Sequence, residues 1–168
     1  MILQEPQVNL YPIPRDDNSM SVACLIGCRL KEVDSSAAPD QWVLRFDSGC
    51  MLNAEGTWRI ICSGRIVATS KDHQQLFGLS EPVDAAEQMH QAIAASRVTT
   101  VSYDRVTGDL RIDFENGARF EVLTDSGGYE SWTLSRPDGT QLIGMGGGEV
   151  IPYGPGPDQG YYPSPVAY

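Results

Sequence analysis

Two stretches of this chain share one pattern of apolar residues and glycine, and this repetition restricts the fold more than any other feature. The first stretch is WVLRFDSGCML, residues 42–52, and the second is LRIDFENGARFEV, residues 110–122. Sliding the chain against itself by 68 residues aligns Arg29 with Arg97, Leu30 with Val98, Val33 with Val101, Phe46 with Phe114, Gly49 with Gly117 and Leu52 with Phe120. Each half then reads strand, loop, strand, turn, strand. We therefore predict two repeated antiparallel β-meanders, over residues 25–70 and 97–148.

Alternating apolar and charged residues support strands in the second copy. The apolar set is Leu110, Ile112, Phe114, Phe120 and Val122, and the interleaved charged set is Arg111, Asp113, Glu115, Arg119 and Glu121. Asn116-Gly117 separates the two runs and favours a type I′ hairpin, which needs positive φ at both central residues. Ser48-Gly49 is the weaker counterpart in the first copy. The pattern predicts a hairpin with an apolar inner face and a charged outer face.

One helix is predicted between the two copies, over residues 80–96, because apolar residues recur there at helical spacing. Ser80 is its expected N-cap and Pro82 lies in its expected first turn. The fold class is therefore α+β, mainly β, with the two meanders joined by one amphipathic helix packed on the sheet. At 168 residues the chain has the length of a single domain, placed at 21–150. An irregular arm (1–20) precedes this domain, and a Pro/Gly/Tyr-rich tail (151–168) follows it.

The charge of the chain argues against one class of partner. The net charge is −10, and Lys31 and Lys71 are the only lysines. Neutralising phosphates needs clustered Lys and Arg, so we expect no direct nucleic-acid binding. The first residues lack the basic and apolar regions of an export signal, and no run of about 18 apolar residues occurs. We expect a cytosolic protein that does not enter a membrane.

Four cysteines, Cys24, Cys28, Cys50 and Cys62, lie in stretches that resemble strands. Without an export signal, reduced thiols in the core are the expected state. Zinc sites commonly use C-x2-C pairs, whereas CLIGC has three residues between its cysteines and both histidines lie far away. We therefore expect no metal site.

The residues that could carry catalysis do not form a recognisable constellation. His73 lies in a polar loop and His90 on the predicted helix, and neither accompanies a nucleophile motif. Asp113 and Glu115 are interpreted as a solvated charge ladder rather than as an acid and base pair. The run GMGGGE at 144–149 lacks the Lys of a phosphate loop and the following helix of a dinucleotide fold. It is interpreted as a bulge, a tight turn or a close backbone approach, and we expect neither a cofactor nor enzymatic activity.

At YESWTL, RPDG and GGGE the sequence resembles a family of small, uncharacterised bacterial proteins that is common in actinobacteria. The matching motifs are the hairpin at 110–122, then 129–132, 136–139 and 147–149, within residues 25–150. Gly146 stands where the family pattern has a proline. The family has no assigned catalytic residues, so the resemblance implies none here. Small acidic β-rich proteins of this kind also resemble immunity proteins, which bind and block a toxin.

Three classes of function remain open. The first, which we favour, is a cytosolic binding protein of the immunity type with one partner protein, expected to be basic. The second is an assembly module that docks its tail onto a neighbour. The third is a small-ligand-binding β domain or unrecognised enzyme with a pocket near Trp58 and Trp132, two residues otherwise expected in the core. The expected partner-binding residues are Arg111, Asp113, Glu115, Arg119 and Glu121 on the hairpin, and Tyr161 and Tyr162 in the tail.

Overall fold

The computed structural model describes residues 21–36, 38 and 40–154, and the protein is mainly β in this part, as predicted. The strands are β1 (Leu30–Asp34), β2 (Trp42–Phe46), β3 (Met51–Ala54), β4 (Thr57–Cys62), β5 (Arg65–Thr69), β6 (Val98–Tyr103), β7 (Leu110–Phe114), β8 (Arg119–Leu123), β9 (Trp132–Ser135), β10 (Gln141–Gly144) and β11 (Val150–Tyr153). The helix α1 spans Ala85–Ile93, and short 3-10 turns occupy Val22–Leu25, Ser70–Asp72 and Gly146–Gly148. The predicted N-terminal arm, residues 1–20, lies outside the described residues.

The strands form two antiparallel sheets. One has the order β1-β2-β3-β9-β10-β11 and the other β5-β4-β8-β7-β6. Strands β1 to β3 pair in chain order, and so do β6 to β8, but the strands that follow each set cross to the opposite sheet. A Cβ at Gly56 would lie 2.5 Å from the Leu123 carbonyl oxygen, so a glycine permits the crossing after β3. Each half of the chain is thus divided between the two sheets.

The core lies between the sheets and contains both tryptophans that the sequence placed there. Trp58 and Trp132 are fully buried, which confirms their predicted packing role. The Trp58 ring packs edge-on against Trp42, with a centroid distance of 4.8 Å. The Trp132 indole N–H donates a hydrogen bond to the carbonyl oxygen of Gly108 (2.8 Å). The predicted alternation is also confirmed, because the apolar residues of β7 are buried and Arg111 is exposed.

The predicted type I′ turn at Asn116-Gly117 is wrong. Of these two residues only Gly117 has a positive φ (82°). The Gly117 N–H donates to the Phe114 carbonyl (3.0 Å), and the Phe114 N–H donates to the Ala118 carbonyl (2.9 Å). This is a three-residue loop with glycine in the left-handed position. The Asn116 side chain donates to the Ala92 carbonyl (2.9 Å), which ties the loop to the end of the helix region.

Helix α1 is shorter than the predicted span of 80–96. Its N-cap is Asp84 rather than Ser80, because the Asp84 carboxylate accepts hydrogen bonds from the N–H groups of the first turn. The stripe Ala85, Met89 and Ile93 is buried, and the helix contacts β1, β4 and β5. Since β1 and β5 are the edge strands of different sheets, the helix bridges two sheet edges.

The predicted tail from residue 151 begins as regular structure. Strand β11 pairs with β10 in antiparallel register, with Pro152 opposite Leu142. Proline is compatible with this position because β11 is an edge strand, where one row of backbone groups needs no partner. Within the described residues, no helix is long and apolar enough to cross a membrane.

Candidate protein-binding surface

The charged side chains predicted on the hairpin form an ion-pair network on the outer face of the five-stranded sheet. The Asp113 carboxylate accepts from the Arg111 Nε (3.0 Å) and the Arg119 Nε (2.9 Å). The Glu121 carboxylate accepts from the Arg59 Nε of β4 (2.7 Å), and it lies 3.7 Å from an Arg119 nitrogen. The network alternates in sign across three neighbouring strands, which is the arrangement that stabilises cross-strand pairs.

The network changes the ionisation of its central carboxylate. Burial by itself would raise the pKa of Asp113, but the hydrogen bonds from Arg119 and Arg111 outweigh it, and the pKa lies below its ordinary value. The Glu121 side chain is only 14% exposed. Both carboxylates already have cationic partners, so a partner protein would have to compete with these pairs for them.

The remaining predicted residues are placed differently. Glu115 is exposed, but it lies in the hairpin loop beyond the end of β7 and outside the network. The three-residue turn displaces it from the row of strand side chains. Tyr161 and Tyr162 lie outside the described residues, so their predicted docking role stays a prediction.

The suggested ligand pocket beside Trp58 and Trp132 has no opening in the described structure, since both rings are fully buried. Tyr129, three residues before Trp132, is instead 82% exposed. A cleft of about 340 Å³ opens instead beside the charged network and is lined by Arg59, Arg111 and Glu121 among others. Its lining is mixed in charge, and the two core tryptophans do not take part in it.

A second surface feature is a tight turn of large apolar residues, Leu76-Phe77-Gly78-Leu79, which we call the apolar turn. Leu76, Phe77 and Leu79 are 54%, 68% and 59% exposed. The Leu79 N–H donates to the Leu76 carbonyl (2.7 Å), and both central residues have positive φ, 44° at Phe77 and 79° at Gly78. This is the geometry of a type I′ turn, for which Asn-Gly is the preferred pair. A bulky aromatic residue at that position carries backbone strain.

The segment around the apolar turn is held by hydrogen bonds. The Gln74 N–H donates to the Val83 carbonyl (2.8 Å), and the Val83 N–H donates to the Gln75 carbonyl (2.9 Å). His73 fixes the segment to the helix, because its Nδ1 accepts from the Ala85 N–H (3.2 Å). The His73 ring also packs edge-on against Trp42 at 4.9 Å. The apolar turn is therefore presented on an ordered base, and His73 has a structural role.

Strand β5, which precedes this segment, is also apolar on its exposed side. Ile66 and Val67 are 56% and 45% exposed. The register between β4 and β5 shifts after the pair Ile60 and Ala68, which marks a β-bulge at Val67. A bulge bends an edge strand and interrupts its pairing pattern, so it discourages addition of another strand there.

The comparison with protein families identifies the chain. Residues 42–152 match the model of a family of unknown function, DUF6188, and this span is 111 of the 168 residues. The chain belongs to the DUF6188 family. The span reaches from β2 into β11 and includes both the charged network and the apolar turn. No curated protein and no solved structure matches the chain.

Within the DUF6188 span, the glycine run serves packing. A Cβ at Gly144 would collide with the ring of Trp132, and one at Gly148 would collide with the Val106 carbonyl. Gly146 is equally close to the backbone of the loop at 126–128. The predicted close backbone approach is confirmed, and the run leads into strand β11 rather than into a helix.

Sequence reasoning did not find the apolar turn. The available signal was the segment LFGL between the last strand of the first copy and the predicted helix. Three large apolar residues in a segment with no predicted regular structure are unusual for a solvated loop. The positive φ of Phe77 has no such signal, because it depends on how the two ends of the segment are held.

Proposed function

We propose that this DUF6188 protein is a non-enzymatic, cytosolic binding protein of the immunity type, which binds one partner protein and blocks a toxin or effector activity. The apolar turn is the observation that carries the proposal. It combines exposed apolar side chains with a strained backbone at Phe77. Strained residues cluster at binding and active sites, since strain persists only where the surrounding structure imposes it.

The energetics of the apolar turn favour a partner with an apolar pocket. Fully burying a leucine or phenylalanine side chain is worth about 1.5–3 kcal/mol, and each of the three side chains is more than half exposed. Aromatic residues that fill a partner's pocket commonly dominate protein interfaces. Phe77, the most exposed of the three, is the proposed central anchor.

Charge complementarity defines the rim of that pocket. Between residues 70 and 88 the chain has one lysine, Lys71, and four carboxylates: Asp72, Glu81, Asp84 and Glu87. The whole chain has a net charge of −10. A partner with lysines and arginines around an apolar pocket would associate faster through electrostatic steering. We therefore propose a basic partner protein, in agreement with the expectation from composition.

The charged network is a second proposed contact region, as the sequence predicted for Arg111, Asp113, Glu115, Arg119 and Glu121. Replacing Asp113 with lysine would place three cations together and would disturb folding as well as binding. Glu115 avoids this problem because it is exposed and outside the network. Glu115→Lys is thus the cleaner test, and a role for this face predicts weaker binding to the basic partner.

We also propose that the two halves are structural repeats. The 68-residue offset relates the starts of β2 and β7, at Trp42 and Leu110, and the starts of β3 and β8, at Met51 and Arg119. Arg29 and Arg97, aligned by the same offset, face each other in an antiparallel bridge. The repeat would account for the reciprocal crossing of strands between the sheets.

The test is affinity capture from the organism that encodes the chain, with the full-length protein and two variants as baits. Phe77→Asp removes the proposed anchor. Tyr129→Asp is the matched control, since it places the same charge at another exposed aromatic position. The proposal expects one partner that binds the original chain and Tyr129→Asp but not Phe77→Asp, with purified components confirming the difference by calorimetry.

Blocking is tested separately by expressing the captured partner in a heterologous bacterium. Co-expression of the original chain should restore growth, and Phe77→Asp should not. A partner that does not inhibit growth would refute the immunity proposal but leave protein binding intact. A partner that Phe77→Asp still binds would refute the apolar turn as the binding surface.

A further inference from the structure

Two cysteines that are distant in the sequence share a surface cleft with an arginine. Cys24 lies in the 3-10 turn Val22–Leu25, and Cys50 lies between β2 and β3. Both line a cleft of about 480 Å³ together with Arg136, which belongs to the turn between β9 and β10. Three separate parts of the chain therefore meet at this cleft. The sequence predicted all four cysteines in strands, but only Cys62 lies in one.

The two thiols are neighbours in the cleft. Cys24, Cys50 and Arg136 line the same cleft, and the Cys24 thiol lies near enough to both neighbours for each to shift its pKa. Burial is the main cause that raises the pKa of Cys24 to about 11, the neighbouring Cys50 adds to it, and Arg136 partly opposes it. Arg136 is itself anchored, because it donates to the Ser21 carbonyl (2.7 Å).

Their accessibility differs. Cys24 is partly exposed in the cleft, whereas Cys50 is only 5% exposed, and both are free thiols. An incoming reagent therefore reaches Cys24 first, and Cys50 is placed to react with whatever forms on Cys24. The raised pKa keeps the Cys24 thiolate scarce at neutral pH, so the reaction should be slow there and should accelerate as the pH rises.

We propose that Cys24 and Cys50 form a redox modification site, which closes to an intramolecular disulfide by exchange with a low-molecular-weight disulfide such as glutathione disulfide. The Cys24 thiolate attacks one sulfur of glutathione disulfide, whose S–S bond breaks and releases one glutathione. The Cys50 thiolate then attacks the Cys24 sulfur and releases the second glutathione. The two cysteine protons end on the two released thiols, so the protein is oxidised by two electrons and glutathione disulfide is reduced by two.

The other two cysteines provide the comparison. Cys28 directs its thiol to the Cys24 carbonyl oxygen (3.4 Å) rather than to the Cys24 sulfur. Cys62 ends β4 in the opposite sheet. The disulfide would tie the 3-10 turn to the hairpin between β2 and β3, and the cleft shares no lining residue with the apolar turn or the charged network.

The test incubates the folded, full-length protein with glutathione disulfide and then alkylates the remaining thiols. The proposal expects a mass loss of about 2 Da, protection of two of the four thiols, and one cross-linked peptide pair containing Cys24 and Cys50. The oxidised protein should unfold at about 1 M higher urea, because the bond constrains the unfolded chain. Dithiothreitol should reverse both changes.

Serine variants refine the result. Cys50→Ser should stop at a stable mixed disulfide on Cys24, and Cys62→Ser, the matched control, should behave like the original chain. Four unprotected thiols, or a cross-link between Cys24 and Cys28, would overturn the proposal. If a serine variant fails to fold, the peptide map of the original chain still shows whether Cys24 and Cys50 are the linked pair.

Discussion

Replacing Phe77 with asparagine should leave the protein at least as stable as before while abolishing partner binding. The variant restores Asn-Gly, the preferred pair of a type I′ turn. A left-handed backbone costs a residue with a Cβ about 1–2 kcal/mol, and asparagine offsets part of that cost by local hydrogen bonding. Because Phe77 is already 68% exposed, Phe77→Asn loses only about a third of the free energy of full side-chain burial, or about 0.5–1 kcal/mol.

Leu76→Asn is the matched control for this experiment. Leu76 is 54% exposed, so its replacement loses a comparable apolar contact. Its φ lies outside the left-handed region, so the replacement relieves no backbone strain. We expect Phe77→Asn to be more stable than Leu76→Asn by about 1 kcal/mol, which corresponds to about 0.5 M urea in the unfolding midpoint. The three buried tryptophans supply the fluorescence signal. Equal midpoints, or a lower one for Phe77→Asn, would refute the strain argument.

Three further predictions concern the fold. Gly144→Ala should destabilise the protein by about 1–3 kcal/mol, since its Cβ collides with a buried indole ring, whereas Gly127→Ala, with open space around its Cβ, should be neutral in urea unfolding. Because folding lowers the pKa of Asp113, its ionised carboxylate stabilises the folded protein at pH values above the ordinary pKa of 3.8. This stabilisation is lost as the pH falls through the lower pKa of the folded state. Asp113→Asn should therefore flatten the acid side of a stability profile, and an unchanged profile would contradict the pKa direction. Asp84→Ala should cost about 1 kcal/mol through loss of the N-cap, while a comparable cost for Ser80→Ala would show that the helix starts earlier.

The sequence identified the charged residues of the hairpin but not how they are used. Period-two alternation placed Arg111 and Asp113 on one strand face, because that depends only on the pleat of the strand. Arg59 was not anticipated, since it reaches Glu121 only because β4 crosses to pair with β8. Glu115 was misplaced because the turn has three residues rather than two. The network is thus partly local and partly a result of strand order.

The N-cap of helix α1 was predicted at the wrong residue for a related reason. Ser80 and Asp84 are both residues that favour an N-cap, and local sequence does not choose between them. The segment before the helix is held by the Gln74 and Val83 backbone bonds and by His73, which lies twelve positions before its partner Ala85. These contacts fix where the chain can enter the helix, so α1 begins at the later site.

The sequence alone determined a mainly β chain, its inward-facing apolar residues, the glycine at Gly117 and the burial of Trp58 and Trp132. All of these follow from short-range geometry: strand periodicity, the conformational freedom of glycine and the size of an indole ring. The tertiary structure decided the division of each half between two sheets, the left-handed φ of Phe77 and the meeting of Cys24 with Cys50. The sheet division and the cysteine pair join positions 26 or more residues apart, and the φ of Phe77 depends on hydrogen bonds between residues on either side of its turn, so no local pattern specifies them.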